Sequence, residues 1–130
     1  MILFRTEGSA TTGYGHLVRA TTLACLLKGR TRVVFSHPKD KGTRRFLAER
    51  HWRTLPLPFS HPDFPWPEIR LVLVDIRTIR PEEQELVQIA RSRAIPVVQI
   101  TDMGLSPLPV TLRIDGALVR PQPFPDDGVE

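Results

Sequence analysis

Gly8-Ser9-Ala10-Thr11-Thr12-Gly13-Tyr14-Gly15-His16-Leu17-Val18-Arg19 follows directly on the apolar run Ile2-Leu3-Phe4 and leads into an amphipathic segment. A strand, a glycine loop and a helix, in that order, form the turn that seats a phosphate or a nucleotide sugar in α/β proteins. His16 falls where the helix begins, among free backbone N–H groups and at the positive end of the helix dipole. That field disfavours imidazolium and predicts a neutral ring able to accept a proton near neutral pH. Arg19, three residues on, shares a helix face with His16, so both point toward one cleft.

Outward from this loop, strand-like and helix-like segments alternate. Met1–Arg5 reads as a strand buried on both faces. Gly15–Leu27 reads as a helix, with Leu17, Ala20, Leu23, Ala24 and Leu27 on one face and Gly29 as its stop. Arg32–Ser36 is a second strand, Gly42–Arg50 a second helix with Phe46 and Leu47 inward, and Arg53–Leu57 a weak third strand. Pro56–Pro67 holds five prolines in twelve residues, which forbids regular helix or central strand. Its Phe59, Phe64 and Trp66 either pack back on the body or line a groove.

Arg70–Asp75 is a buried parallel strand. Pro81 fits the first turn of the next helix, whose Glu82, Glu83 and Glu85 complement its N-terminal dipole. Leu86, Ile89, Ala90 and Arg93 mark one face of that helix. Ile95–Thr101 is the following strand, and a last one runs through Leu112–Ile114 or Ala117–Val119. The alternation predicts a Rossmann-like, doubly wound parallel sheet spanning residues 1–120, with 121–130 as a tail or linker. Ligands of such sheets bind beyond the carboxyl ends of the strands, where the Gly8–His16 loop, Asp75 and Asp102 all fall. The two aspartates also suit an ordinary role as turn or N-cap residues.

The chain has 130 residues, enough for one domain with a sizeable core. No apolar run approaches the roughly 20 residues of a membrane span. The N-terminus lacks the basic start and long apolar core of a secretory signal, so a cytoplasmic protein is expected. The net charge of +4 is mostly arginine; the basic residues are scattered and aromatics are few, which argues against nucleic acid as a partner. Cys25, alone, reads as a buried small hydrophobe. His37, His51 and His61 lack metal-ligand spacing and read as loop or surface residues.

Gly8 and Gly13 are spaced like the start of a P-loop, but Tyr14 and Gly15 stand where its lysine and hydroxyl residue belong, which argues against a nucleoside triphosphatase. The glycines also miss the spacing of dinucleotide folds. Gly13-Tyr14-Gly15-His16-Leu17-Val18-Arg19 resembles instead the GxGHxxR motif of the bacterial UDP-sugar hydrolases of pseudaminic acid biosynthesis and of the related spore-coat polysaccharide proteins. The resemblance extends to Ile2-Leu3-Phe4-Arg5, to Glu7-Gly8-Ser9, to Thr22-Leu23-Ala24, to Leu73-Val74-Asp75, and to Val97-Val98-Gln99-Ile100 running into Asp102. It covers roughly residues 1–120 in order.

This resemblance implies a GT-B fold of two Rossmann-like domains, of which the chain matches the N-terminal half. It implies a nucleotide sugar as ligand, a second GT-B-type domain or subunit as partner, and no metal or redox cofactor. By the same resemblance His16 is the base that activates water at the sugar carbon bearing the nucleotide. Gly8, Ser9, Gly13, Tyr14 and Gly15 bring backbone to the ligand, Arg5 or Arg19 contacts phosphate or sugar, and Asp75 and Asp102 lie at the cleft. Two other functions suit the same residues: a non-catalytic sugar- or partner-binding remnant, and the acceptor domain of a GT-B glycosyltransferase.

Overall fold

A computed structural model describes residues 1–8, 13–102 and 108–115. Five strands, β1 (Ile2–Thr6), β2 (Val33–Ser36), β3 (Leu71–Asp75), β4 (Val97–Thr101) and β5 (Leu112–Asp115), form one sheet in the order β2-β1-β3-β4-β5. Every pairing is parallel. The helices are α1 (Gly15–Leu27), α2 (Lys41–Glu49) and α3 (Pro81–Ser92).

The expected strand over Arg53–Leu57 shrinks to a single parallel bridge, Thr54 to Phe35. Phe35 donates to the Arg53 carbonyl at 2.9 Å and Leu55 donates to the Phe35 carbonyl at 2.8 Å. Pro56 and Pro58 then remove the N–H donors a longer ladder needs. With that bridge at the outer edge of β2, the sheet keeps the spatial order of a dinucleotide-binding fold, its third strand reduced to a stub.

Alternation along β1 sorts the core into two layers. Leu3 joins Val34, Val72, Val74 and α3's Leu86, Val87 and Ala90. Phe4 joins Phe35, Leu73, Ile100, α1's Leu17, Ala20 and Ala24, and α2's Leu47. Helices α1 and α2 therefore cover one face and α3 the other, the doubly wound arrangement expected. The register Val98↔Leu112 and Ile100↔Ile114 carries both β5 side chains to the α1 face, where they are exposed at the sheet's edge.

Phe59, Phe64 and Trp66 pack back on the body. Their rings meet at centroid distances of 5.5 and 4.9 Å, and the Trp66 indole donates to the Phe59 carbonyl at 2.7 Å. Cys25 is exposed, against expectation. The buried stripe of α1 is Leu17, Ala20, Thr21 and Ala24, and Cys25 sits one helical step, about 100°, off its last member. Thr21 is accepted in that stripe because its hydroxyl bonds back to the Leu17 carbonyl at 2.9 Å. Leu112–Asp115, rather than Ala117–Val119, forms the described last strand; the latter and the expected tail 121–130 lie outside the described residues.

Candidate functional site

The strand order reverses between β1 and β3, so their carboxyl ends flank a crevice. Asp75 is the last residue of β3 and pairs in register with Thr6, the last of β1. Its parity with Leu73 points its side chain to the α1 face. There it meets the first turn of α1.

The Asp75 carboxylate is fully buried and holds three contacts. His16 Nδ1 lies 2.6 Å from Oδ1, Arg19 Nε donates to Oδ2 at 2.7 Å, and Arg19 Nη2 donates to Oδ1 at 2.7 Å. Arg19 Nη1 reaches across to Asp102 Oδ1 at 2.6 Å, and His16 Nε2 stands 4.0 Å from Asp102 Oδ2. Asp102 follows β4 and is the most exposed member of the set. His16, Arg19, Asp75 and Asp102 thus meet at one point on the carboxyl edge of the sheet.

His16 titrates above the ordinary histidine range, and the hydrogen bond to Asp75 is the main cause. Burial and the nearby Arg19 pull the other way, while the charges of Asp75 and Asp102 reinforce the rise. This corrects the expectation drawn from the helix terminus. A buried carboxylate at hydrogen-bond distance outweighs the partial charge of a helix dipole. The Arg19 guanidinium is likewise held further into its charged form, first by its bond to Asp75.

The loop before α1 is pinned on two sides. Gly8 donates from its N–H to the Thr43 hydroxyl at 2.9 Å, and that hydroxyl lies 2.7 Å from the Gly8 carbonyl and 2.9 Å from Asp40 Oδ2. Its single proton serves one of the two acceptors at a time. A Cβ on Gly8 would stand 3.0 Å from Leu17 Cβ, so glycine lets the loop press closely on α1. Gly13 is required for its backbone, at φ +81°. A Cβ on Gly15 would meet open space, so packing does not demand glycine there. Tyr14 precedes α1 as its N-cap without a side-chain cap bond and stacks on Phe46 at 6.1 Å. Ser9 lies outside the described residues.

Arg5 does not join the cluster. Odd-numbered β1 side chains face α3, and the Arg5 guanidinium is buried there. It donates to Glu83 Oε2 from Nε at 3.2 Å and Nη2 at 2.8 Å, and to Ser36 Oγ from Nη1 at 2.9 Å. Its hydrogen bonds are thus made inside the molecule, on the sheet face opposite His16, and the exposed carboxylate of Glu82 stands 3.5 Å from Nη2.

Two features escaped the sequence reading. Glu7 is buried and accepts from the backbone N–H groups of Arg77 and Thr78, at 3.2 and 3.1 Å, and from Arg80 Nη2 at 2.6 Å. It ties the end of β1 to the loop after β3, the two walls of the crevice. Glu83, read as a dipole partner, is fully buried between Arg5 and Arg80 and accepts the Arg80 N–H at 3.2 Å. The signal for Glu83 was its place three residues after a helix N-cap, the position from which a glutamate reaches back. Thr6 adds an unmet demand at the crevice. Its hydroxyl is buried beside Asp75 in register and has no partner among the described residues.

His37, His51 and His61 sit in loops, as expected; His37 Nδ1 lies 2.7 Å from the Pro38 carbonyl, and His61 Nδ1 accepts from Asp63 N–H at 3.0 Å. No described helix is long and apolar enough to cross a membrane. A scan against protein-family models, a search of curated proteins and a search of solved structures each return no match to this chain.

Proposed function

We propose that this chain is the N-terminal half of a GT-B-type nucleotide-sugar hydrolase, with His16 as its base. The observation that carries the reading is the 2.6 Å contact between His16 Nδ1 and Asp75 Oδ1. With the Nδ1 proton directed at Asp75, the lone pair of Nε2 is left for a proton acceptor's role, as in Asp–His pairs generally. An oxygen about 2.8 Å from Nε2 fits within hydrogen-bond reach of Asp102 Oδ2 as well, given their separation of 4.0 Å. A water placed there attacks the anomeric carbon. Its oxygen bonds to that carbon, its proton passes to His16 Nε2, and the nucleoside diphosphate leaves with the electron pair of the broken C–O bond. The first turn of α1, with no side-chain cap among the described residues, offers N–H groups to a phosphate. A second domain supplies the other wall and excludes water that does not react.

A second reading, binding without turnover, draws support from the raised proton affinity of His16. A ring that stays protonated between two carboxylates holds ligand but does not abstract a proton.

The test is UDP release from UDP-GlcNAc, followed by phosphorus NMR, for the chain alone and joined to a candidate second domain. On the hydrolase reading, His16→Ala lowers the rate on the order of 10²–10⁴-fold while calorimetry still shows UDP-GlcNAc binding. Binding without turnover at any pH up to 9 selects the second reading. No binding by either form overturns both.

A further inference from the structure

We infer a second ligand site, for a phosphate carried on a flat or apolar body, at the opposite end of the sheet from His16. The recess lies between the single 3-10 turn Trp66–Glu68 and the link from α3 to β4, and encloses about 330 Å³. That is the lower end of the range of small-molecule clefts, about 300–1,000 Å³. Pro67, Ala94 and Ile95 give it an apolar floor over the buried Trp66 and Ile69, and Arg70 and Arg93 line it as well.

The backbone on both sides is fixed. Ile69 donates to the Trp66 carbonyl at 3.1 Å and Arg70 to the Met1 carbonyl at 2.9 Å. On the other side Ala94 donates to the Arg91 carbonyl at 3.0 Å and Ile95 to the Ala90 carbonyl at 2.8 Å. These bonds also satisfy the Arg91 and Ala90 carbonyls at the end of α3.

The two guanidinium groups are left over. Neither Arg70 nor Arg93 makes a side-chain hydrogen bond or ion pair among the described residues, whereas the buried or half-buried Arg5, Arg19 and Arg80 do. Arg93 leans over the Trp66 ring, its Cζ 5.8 Å from the centroid. Two unpaired forks facing one recess match the charge and the several acceptor oxygens of a phosphomonoester. The apolar floor sets the rest of the ligand. Nothing in this recess depends on the His16 cluster, so it is independent of the hydrolase reading.

Phenyl phosphate is the probe, with inorganic phosphate and phenol as its two halves, titrated into the ¹⁵N-labelled full chain. Saturable shifts are expected at the Trp66 indole N–H and the Ala94 and Ile95 amides. Inorganic phosphate and phenol are expected to bind at least tenfold more weakly. Arg70→Gln and Arg93→Gln should each raise Kd about tenfold, and both side chains are exposed, so neither change threatens the fold. His16→Ala should leave Kd unchanged. Shifts confined to the first turn of α1, an unchanged Kd in the double Arg70→Gln/Arg93→Gln variant, or no saturable shift at all would each overturn the site. Inorganic phosphate binding as tightly as phenyl phosphate would overturn the role given to the apolar floor.

Discussion

Arg19 grips Asp75 through two nitrogens at once, Nε to Oδ2 and Nη2 to Oδ1, each at 2.7 Å. A fork-to-fork pair of this kind fixes the plane of the carboxylate as well as its position. Because the carboxylate is fully buried, that plane decides where the third partner, His16, must sit. Arg19 is therefore a positioning residue whose effect on His16 passes through Asp75. Its third contact, to Asp102, closes the cluster toward solvent.

Asp75→Asn tests this arrangement. The amide keeps the shape of the carboxylate but removes the charge and turns one acceptor into a donor. The His16 pKa, followed by NMR of its ring protons, should fall from its raised position toward or below the ordinary range. Stability should drop by about 1–3 kcal/mol, the cost of leaving a buried polar group mispaired. A His16 titration unchanged in Asp75→Asn would show that Asp75 is not what raises it.

The same shift fixes a pH dependence of stability. His16 binds its proton more tightly in the folded chain than in the unfolded one. Its contribution is complete below the unfolded value, near 6.5. It is lost as pH rises through the higher folded value. The urea midpoint of the parent chain should accordingly decline across the neutral to mildly alkaline range. That part of the decline should vanish in His16→Gln. Parallel pH profiles for the two proteins would remove His16 as its source.

The elements that the sequence made legible are those coded by local pattern. The apolar runs of β1, β3 and β4, the helical spacing of Leu17, Ala20 and Ala24, and Pro81 at the start of α3 each carry their signal within a few residues. What escaped depends on partners far along the chain. The family resemblance made Arg5 a candidate ligand contact, and nothing near it in the sequence announces Glu83, 78 positions away. His16 read as a neutral ring because the helix terminus is local and Asp75 is 59 positions distant. That Asp75, Asp102 and His16 share one edge was legible from the alternating topology, which puts all three at carboxyl ends of strands. That Arg19 would join two of them by salt bridges was not.

Ala94 stands in the left-handed region, at φ 55°, where α3 ends. The bonds from Ala94 to Arg91 and from Ile95 to Ala90 form the helix-stop pattern that glycine usually completes. Ala94→Gly removes the Cβ that resists this conformation, at the cost of a more flexible unfolded chain. The steric relief is the larger effect at positive φ, so stability should rise by about 0.5–1 kcal/mol in thermal unfolding. A loss of stability would mean that the Ala94 methyl packs to greater effect than its backbone strain.

Glu83 is the group whose loss should cost most. It is fully buried on the α3 face and bridges two arginines, Arg5 at 2.8 Å and Arg80 at 3.3 Å. Arg5 is itself buried, so it cannot turn to water when its partner is neutralised. Arg80 retains Glu7, at 2.6 Å, and is partly exposed. The penalty in Glu83→Gln therefore falls on Arg5, whose remaining contacts are the Ser36 hydroxyl, the Phe59 ring 5.2 Å away and the largely exposed, solvent-screened carboxylate of Glu82 at 3.5 Å. Removing one member of a buried ion pair costs about 3–5 kcal/mol, a large part of the stability of a small domain. Denaturant unfolding measures this directly, and Arg5→Met/Glu83→Leu serves as the control. If the uncompensated charge is the cause, the double variant should recover much of the loss, because an apolar pair of similar volume leaves no charge behind. A double variant as unstable as Glu83→Gln would locate the defect in packing between α3 and β1 instead.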